Sequence, residues 1–196
     1  VGERAMLANT TGAQNVAVGR GALQANTTAF YNTAVGYQAL DANTTGASNT
    51  AVGQAAGGAN TTASNNVFVG AAAGLNNTTG TENVVVGRDA FYENTTGNYN
   101  TAIGYQALVY NNANYVTGVG FQALKDNTTG TRCVAVGSFA LDDNTTANDN
   151  VAVGYAALSA NTTGHSNTAI GQAALATQQA GANYNTGVGY QALYAN

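Results

Sequence analysis

A β-branched residue, a small residue and a second β-branched residue recur just before a glycine, as in Thr50-Ala51-Val52-Gly53, from the first residues of the chain to the last. Taking that glycine as position 1 of a unit gives Gly2, Gly19, Gly36, Gly53, Gly70, Gly87, Gly104, Gly120, Gly137, Gly154, Gly171 and Gly189. The step is 17 residues, except 16 after Gly104 and 18 after Gly171. Alternation of this kind predicts a short strand at positions 15 to 17. A fixed short period predicts a solenoid, because a unit this small cannot bury its own apolar face and must stack on its neighbours. Seventeen residues suit one β-coil with two short strands and two corners. Gly36 to Val52 is the typical unit, and Tyr37-Gln38-Ala39-Leu40 within it reads as the second strand or as a helical turn.

The expected fold is therefore all-β, a parallel β-solenoid over residues 1–196 forming a single domain. The irregular coils are 104–119 and 171–188. Both lose Asn-Thr-Thr, at Asn111-Asn112-Ala113 and at Gln178, so their length change is expected in the corner at positions 8 to 13, with Val119 and Val188 kept in the strand column. Val1 and Asn196 both fall inside a repeat, which reads as a segment of a longer array.

Period-2 geometry sends positions 15 and 17 to one face and position 16 to the other. The bulkier pair is assigned to the interior, so Val35, Val52 and Val86 should be buried with Leu40 and Leu108 of position 5. Small Ala34, Ala51, Ala102, Gly118 and Gly187 should face outward, and Asp41, Glu93 and Lys125 should be exposed. Phe68 tests this assignment. It occupies position 16 where position 5 lacks Leu, between Gly57 and Gly74, and an inward Phe68 would mean that the two faces are exchanged. Position 1 accepts only Gly, which implies positive φ or no room for a Cβ; position 4 is always Ala, which implies a crowded corner.

Two Asn columns follow the same register. At position 14, Asn15, Asn32, Asn49, Asn66, Asn83, Asn100, Asn150, Asn167 and Asn185 read as a structural ladder, amide bonded to amide along the axis. At position 8, Asn9, Asn26, Asn43, Asn60, Asn77, Asn94, Asn127, Asn144 and Asn161 each open Asn-Thr-Thr. That tripeptide is an N-glycosylation sequon as well as a possible ladder. As a ladder, Asn111 should sit like its neighbours; as a glycan edge, the nine sequon nitrogens should face solvent. Regular Thr also raises ice binding, although adjacent Thr44 and Thr45 should point to opposite faces.

Charge adds mainly exclusions. Only 7% of residues are charged, the net charge is −4, and there is no basic cluster to neutralise phosphates. Nucleic acid is not an expected partner, and no apolar run is long enough to span a bilayer. His165 is the only histidine and Cys133 the only cysteine, so no catalytic triad or His/Cys metal set can be assembled, and neither enzyme activity nor a cofactor is expected. Asp142-Asp143 lacks the glycine-rich motif of calcium β-rolls. Tyr37, Tyr105, Tyr155 and Tyr190 at position 2 read as rings covering apolar surface.

Ser48-Asn49-Thr50-Ala51-Val52-Gly53 and Ser166-Asn167-Thr168-Ala169-Ile170-Gly171 resemble the Asn-Ser-Val-Ala-Ile-Gly head repeat of trimeric autotransporter adhesins, and similar repeats occur in phage tail fibres. The unit here is longer than the family's. The resemblance implies a left-handed β-roll, side-by-side homotrimers and adhesion at a cell or virion surface without catalysis. The functional expectation is a structural or adhesive rod of an extracellular fibre, self-associating as a homotrimer or fibril, with glycans along the Asn-Thr-Thr edge. The alternative is a solenoid that binds carbohydrate or ice.

Overall fold

The computed structural model describes residues 1–177 and 181–195. Its strands are β1 (Val16–Val18), β2 (Thr33–Val35), β3 (Thr50–Val52), β4 (Val67–Val69), β5 (Val84–Val86), β6 (Thr101–Ile103), β7 (Thr117–Val119), β8 (Val134–Val136), β9 (Val151–Val153), β10 (Thr168–Ile170) and β11 (Thr186–Val188). They form one parallel sheet in sequence order, with Thr33 opposite Thr50 and Val35 opposite Val52. The chain is a parallel β-solenoid.

Each coil holds one strand where two were expected. The segment from position 2 to position 7 is a chain of turns, because positions 3 and 5 adopt left-handed backbone: φ is 53° at Gln38 and 49° at Leu40. Position 13 does the same, at 59° for Ser48. Such residues cost of order 1 kcal/mol each. The cost is offset by hydrogen bonds to both neighbouring coils, since Gln38 N donates to Arg20 O at 2.9 Å and Leu40 N to Ala56 O at 3.0 Å. Position 1 meets both conditions expected of it. Gly36 has φ of 144°, and a Cβ there would overlap Gly53 O of the next coil.

The strand faces are the reverse of the expectation. Ala34, Ala51 and Ala102 are fully buried, whereas Val52 is 39% exposed and Val35 and Val86 are half-buried. Leu40 and Leu108 are buried, Glu93 is exposed, and Asp41 and Lys125 are half-buried. The reason is the thinness of the coil. A Cβ on Gly118 would already sit 3.1 Å from Leu108 Cγ, so the interior is one leucine and one alanine wide.

Phe68 obeys the same limit: it is fully buried, and its ring fills the space left by the missing leucines. A Cβ on Gly57 would meet Phe68 Cδ2 at 2.7 Å, and one on Gly74 would overlap Phe68 Cε1. Val85, in the coil of Gly74, is likewise buried. Large residues thus stand at position 16 where position 5 is glycine.

The irregular coils keep the strand column intact. Thr101 pairs with Thr117 across the short unit and Thr168 with Thr186 across the long one. Residues are lost or gained before the strand begins. Gln178, which the ladder reading would place beside its neighbours, lies outside the described residues.

Candidate functional site

Both Asn columns are internal. At position 14, Asn49 N donates to Asn32 Oδ1 of the preceding coil at 2.9 Å, and Asn49 Nδ2 donates to Ala63 O of the next at 2.8 Å. The same bonds recur at Asn32, Asn66 and Asn83. At position 8, Asn43 Nδ2 donates to Asn26 Oδ1 at 3.1 Å and to Gly46 O at 3.0 Å within its own corner. Asn111, which is no sequon, is also buried and accepts from Asn127 Nδ2 at 2.5 Å.

The glycan assignment to Asn9, Asn26, Asn43, Asn60, Asn77, Asn94, Asn127, Asn144 and Asn161 is therefore corrected. All but Asn9 are fully buried, and Asn9, in the first coil, is half-buried with Nδ2 bonded to Gly12 O at 2.9 Å. An amide nitrogen held between stacked coils has no path to a bulky substituent, and attaching one would open the corner. A buried amide left without its bonds is costly, which is why the coil holds these groups in pairs.

The next two residues divide their roles. Thr44 Oγ1 donates to Thr61 O at 3.1 Å, and the position 9 hydroxyls of Thr27, Thr61 and Thr78 do likewise. Thr45 at position 10 is exposed. The pair therefore does not present two hydroxyls on one flat face.

The outer strand face carries two β-branched rows. Val18, Val52, Ile103, Val136 and Ile170 all expose more than a third of their surface. Aromatic rings from position 2, with Phe139 of position 3 in the coil whose position 2 is Ser138, run in a contacting row, Tyr105 to Phe121 at 5.5 Å, Phe121 to Phe139 at 5.1 Å and Phe139 to Tyr155 at 5.9 Å. Tyr105 and Tyr155 remain 38% and 55% exposed, so the rings contact one another while one side of each stays wet. No family model, curated protein or solved structure matches the chain.

Ionisable groups are dispersed. Arg132 Nε donates to Asp149 Oδ1 at 2.6 Å across one coil step and holds the Asp149 carboxyl below its usual range; the pair is largely exposed. Burial, with the Asp143 charge next to it, pushes Asp142 up to about 6, and its Oδ1 is buried without a partner among the described residues. Burial also pushes the Cys133 thiol up to about 11, and Cys133 Sγ donates to Ala147 O at 3.3 Å, the bond an Asn would make at position 14. His165 Nδ1 accepts from Asn148 N at 2.9 Å. Among the described residues no three His, Cys, Asp or Glu gather as metal ligands, and no helix is long and apolar enough to cross a membrane.

One recess interrupts the turn side. Small Ala55, Ala71 and Ala72 leave an open hollow of about 540 Å³ bounded by Gln54, Arg88, Asp89 and Tyr92. It spans the two coils whose position 5 is glycine and the next coil, whose position 5 is Phe91.

Proposed function

We propose that this chain is a structural and adhesive rod segment of an extracellular fibre or surface adhesin, self-associating through its outer strand face. The observation that carries the reading is that face. Two β-branched side chains from each of eleven strands point outward. At about 4.8 Å per strand they make a largely apolar strip on the order of 1,000 Å², the scale of a stable interface. Monomers rarely leave more than a few hundred Å² of contiguous apolar surface. The strip repeats in register from coil to coil, so a second copy with the same repeat can match it coil for coil.

Sedimentation equilibrium of the chain tests this. Oligomers are expected, and Val52→Lys with Val86→Lys and Ile103→Lys should shift them to monomer with an unchanged circular dichroism spectrum. A wild-type chain that stays monomeric at high concentration overturns it.

The recess over Ala71 and Ala72 favours a second reading, carbohydrate binding. Tyr92 offers a ring face, and Arg88, Asp89 and Gln54 offer donors and acceptors, the mixture that sugar hydroxyls need. Titration with neutral oligosaccharides should then show saturable binding that Tyr92→Ala removes.

A further inference from the structure

Position 10 is an anomaly among the exposed columns outside the strand. The exposed column at position 13 runs Gln14, Tyr31, Asn65, Glu82, Arg132 and Asp149, with no common chemistry even though its backbone is left-handed. Position 10 is Thr in every unit from Thr11 to Thr163 except that of Gly104, nine copies in all, and each is exposed. Its backbone has no positive φ. None of its hydroxyls makes a hydrogen bond among the described residues, whereas the position 9 hydroxyls next to them bond to the following coil. The fold thus gives a reason for the first Thr and none for the second. A sequon would also require Thr there, but its acceptor nitrogen is the buried one, as at Asn43.

We infer that the Oγ1 atoms of this column, those of Thr28, Thr45 and Thr62 among them, are acceptors for O-linked sugars. A hydroxyl is the nucleophile such a transfer needs, and these stand at an exposed corner that a transferase can reach. Thr Oγ1 attacks the anomeric carbon of a phosphate-activated sugar donor. The new C–O bond forms as the bond from that carbon to the phosphate oxygen breaks, the phosphate leaves, and the hydroxyl proton passes to a base of the transferase. A second observation points the same way. Only 7% of the residues are charged, against about 25% in an ordinary soluble domain, and a file of sugars one coil apart, about 4.8 Å, supplies the missing hydration. The inference stands apart from self-association through the strand face, since it concerns a different column.

Site-resolved mass spectrometry of protein from its native source tests it. Sugar mass is expected on peptides holding Thr28, Thr45 and Thr62, removed by alkaline β-elimination, and Thr45→Val made in the producing cell should lose the increment of that coil alone with circular dichroism unchanged. Bare Thr side chains throughout, or sugar localised to Asn43 and Asn60, overturn the inference. Thermal hysteresis from a chain whose Thr are bare overturns it in favour of ice binding.

Discussion

At the scale of the residue, what decides a side chain's role is which side of a one-leucine-wide coil it faces. Ala51 is fully buried and Val52 is 39% exposed, so Ala51→Asp should cost several kcal/mol by burying an unpaired charge, whereas Val52→Asp should change stability by less than about 1 kcal/mol. Urea unfolding of the two variants checks this, and equal losses would contradict the exchanged faces. Cys133 stands in the Asn column with its Sγ 3.3 Å from Ala147 O. Cys133→Asn should add about 1 kcal/mol by restoring an amide bond there, read as a higher denaturant midpoint. Asp142 has its folded-state pKa raised from 3.8 to about 6 by burial. The folded state therefore holds that proton more tightly than the unfolded one, and the stabilisation is complete below about pH 4 and lost as pH rises through 6. Melting temperature should accordingly fall between pH 4 and pH 7 by a part that Asp142→Asn removes. Exposed Asp149, lowered by Arg132, works weakly in the opposite direction.

At the scale of the element, the coil is a unit of complementary volumes. Position 5 and position 16 hold Leu40 with Ala51, Gly57 with Phe68 and Gly74 with Val85, and all the large members are buried. Phe68→Ala should leave a cavity beside two glycines and cost about 3–5 kcal/mol. Adding Gly57→Leu and Gly74→Leu should recover most of that loss, because Leu at position 5 is the filling used in most other coils; calorimetry of the single and triple variants measures it. Gly74→Leu also sets a leucine side chain against Val85 within one coil, so some strain should remain that Val85→Ala relieves. The ladders work at the same scale. Asn43→Ala would strip Asn26 Oδ1 of its donor while Gly46 O keeps Asn32 Nδ2 at 2.8 Å, and leaving a buried acceptor unpaired costs about 1–3 kcal/mol.

At the scale of the whole molecule, the sheet is open at both ends among the described residues. Each strand from β2 to β10 pairs with the one before and the one after, so backbone groups between them are satisfied along the axis while the outer side chains are not covered by anything in the described residues. Solenoid stability is close to a sum over coils and their interfaces. Deleting the 17 residues from Gly36 to Val52 should therefore shorten the rod by one coil and leave a cooperative fold, checked by circular dichroism and small-angle scattering. Deleting only half of that unit should break the register and abolish the transition.

The period, the parallel stacking and the strand column were legible in the chain itself, because a glycine with no room for a Cβ and a β-branched pair must recur wherever a coil recurs. The buried leucines were legible for the same reason, and so was the recurrence of Asn at position 14, although Asn49 reaches Asn32 Oδ1 through its backbone N and sends its own Nδ2 to Ala63 O, not from amide to amide. The size exchange between Gly57 and Phe68 was in the sequence too, and it pointed to position 16 as the inner face; bulk at Val35 and Val52 argued the other way. Only the tertiary structure settled which face wins, since the width of the coil depends on left-handed turns at Gln38 and Leu40 that no local propensity favours. It likewise took Asn43 out of solvent and left Thr45 in it, because a tripeptide specifies neighbours along the chain and the stacking of coils decides which of them turns inward.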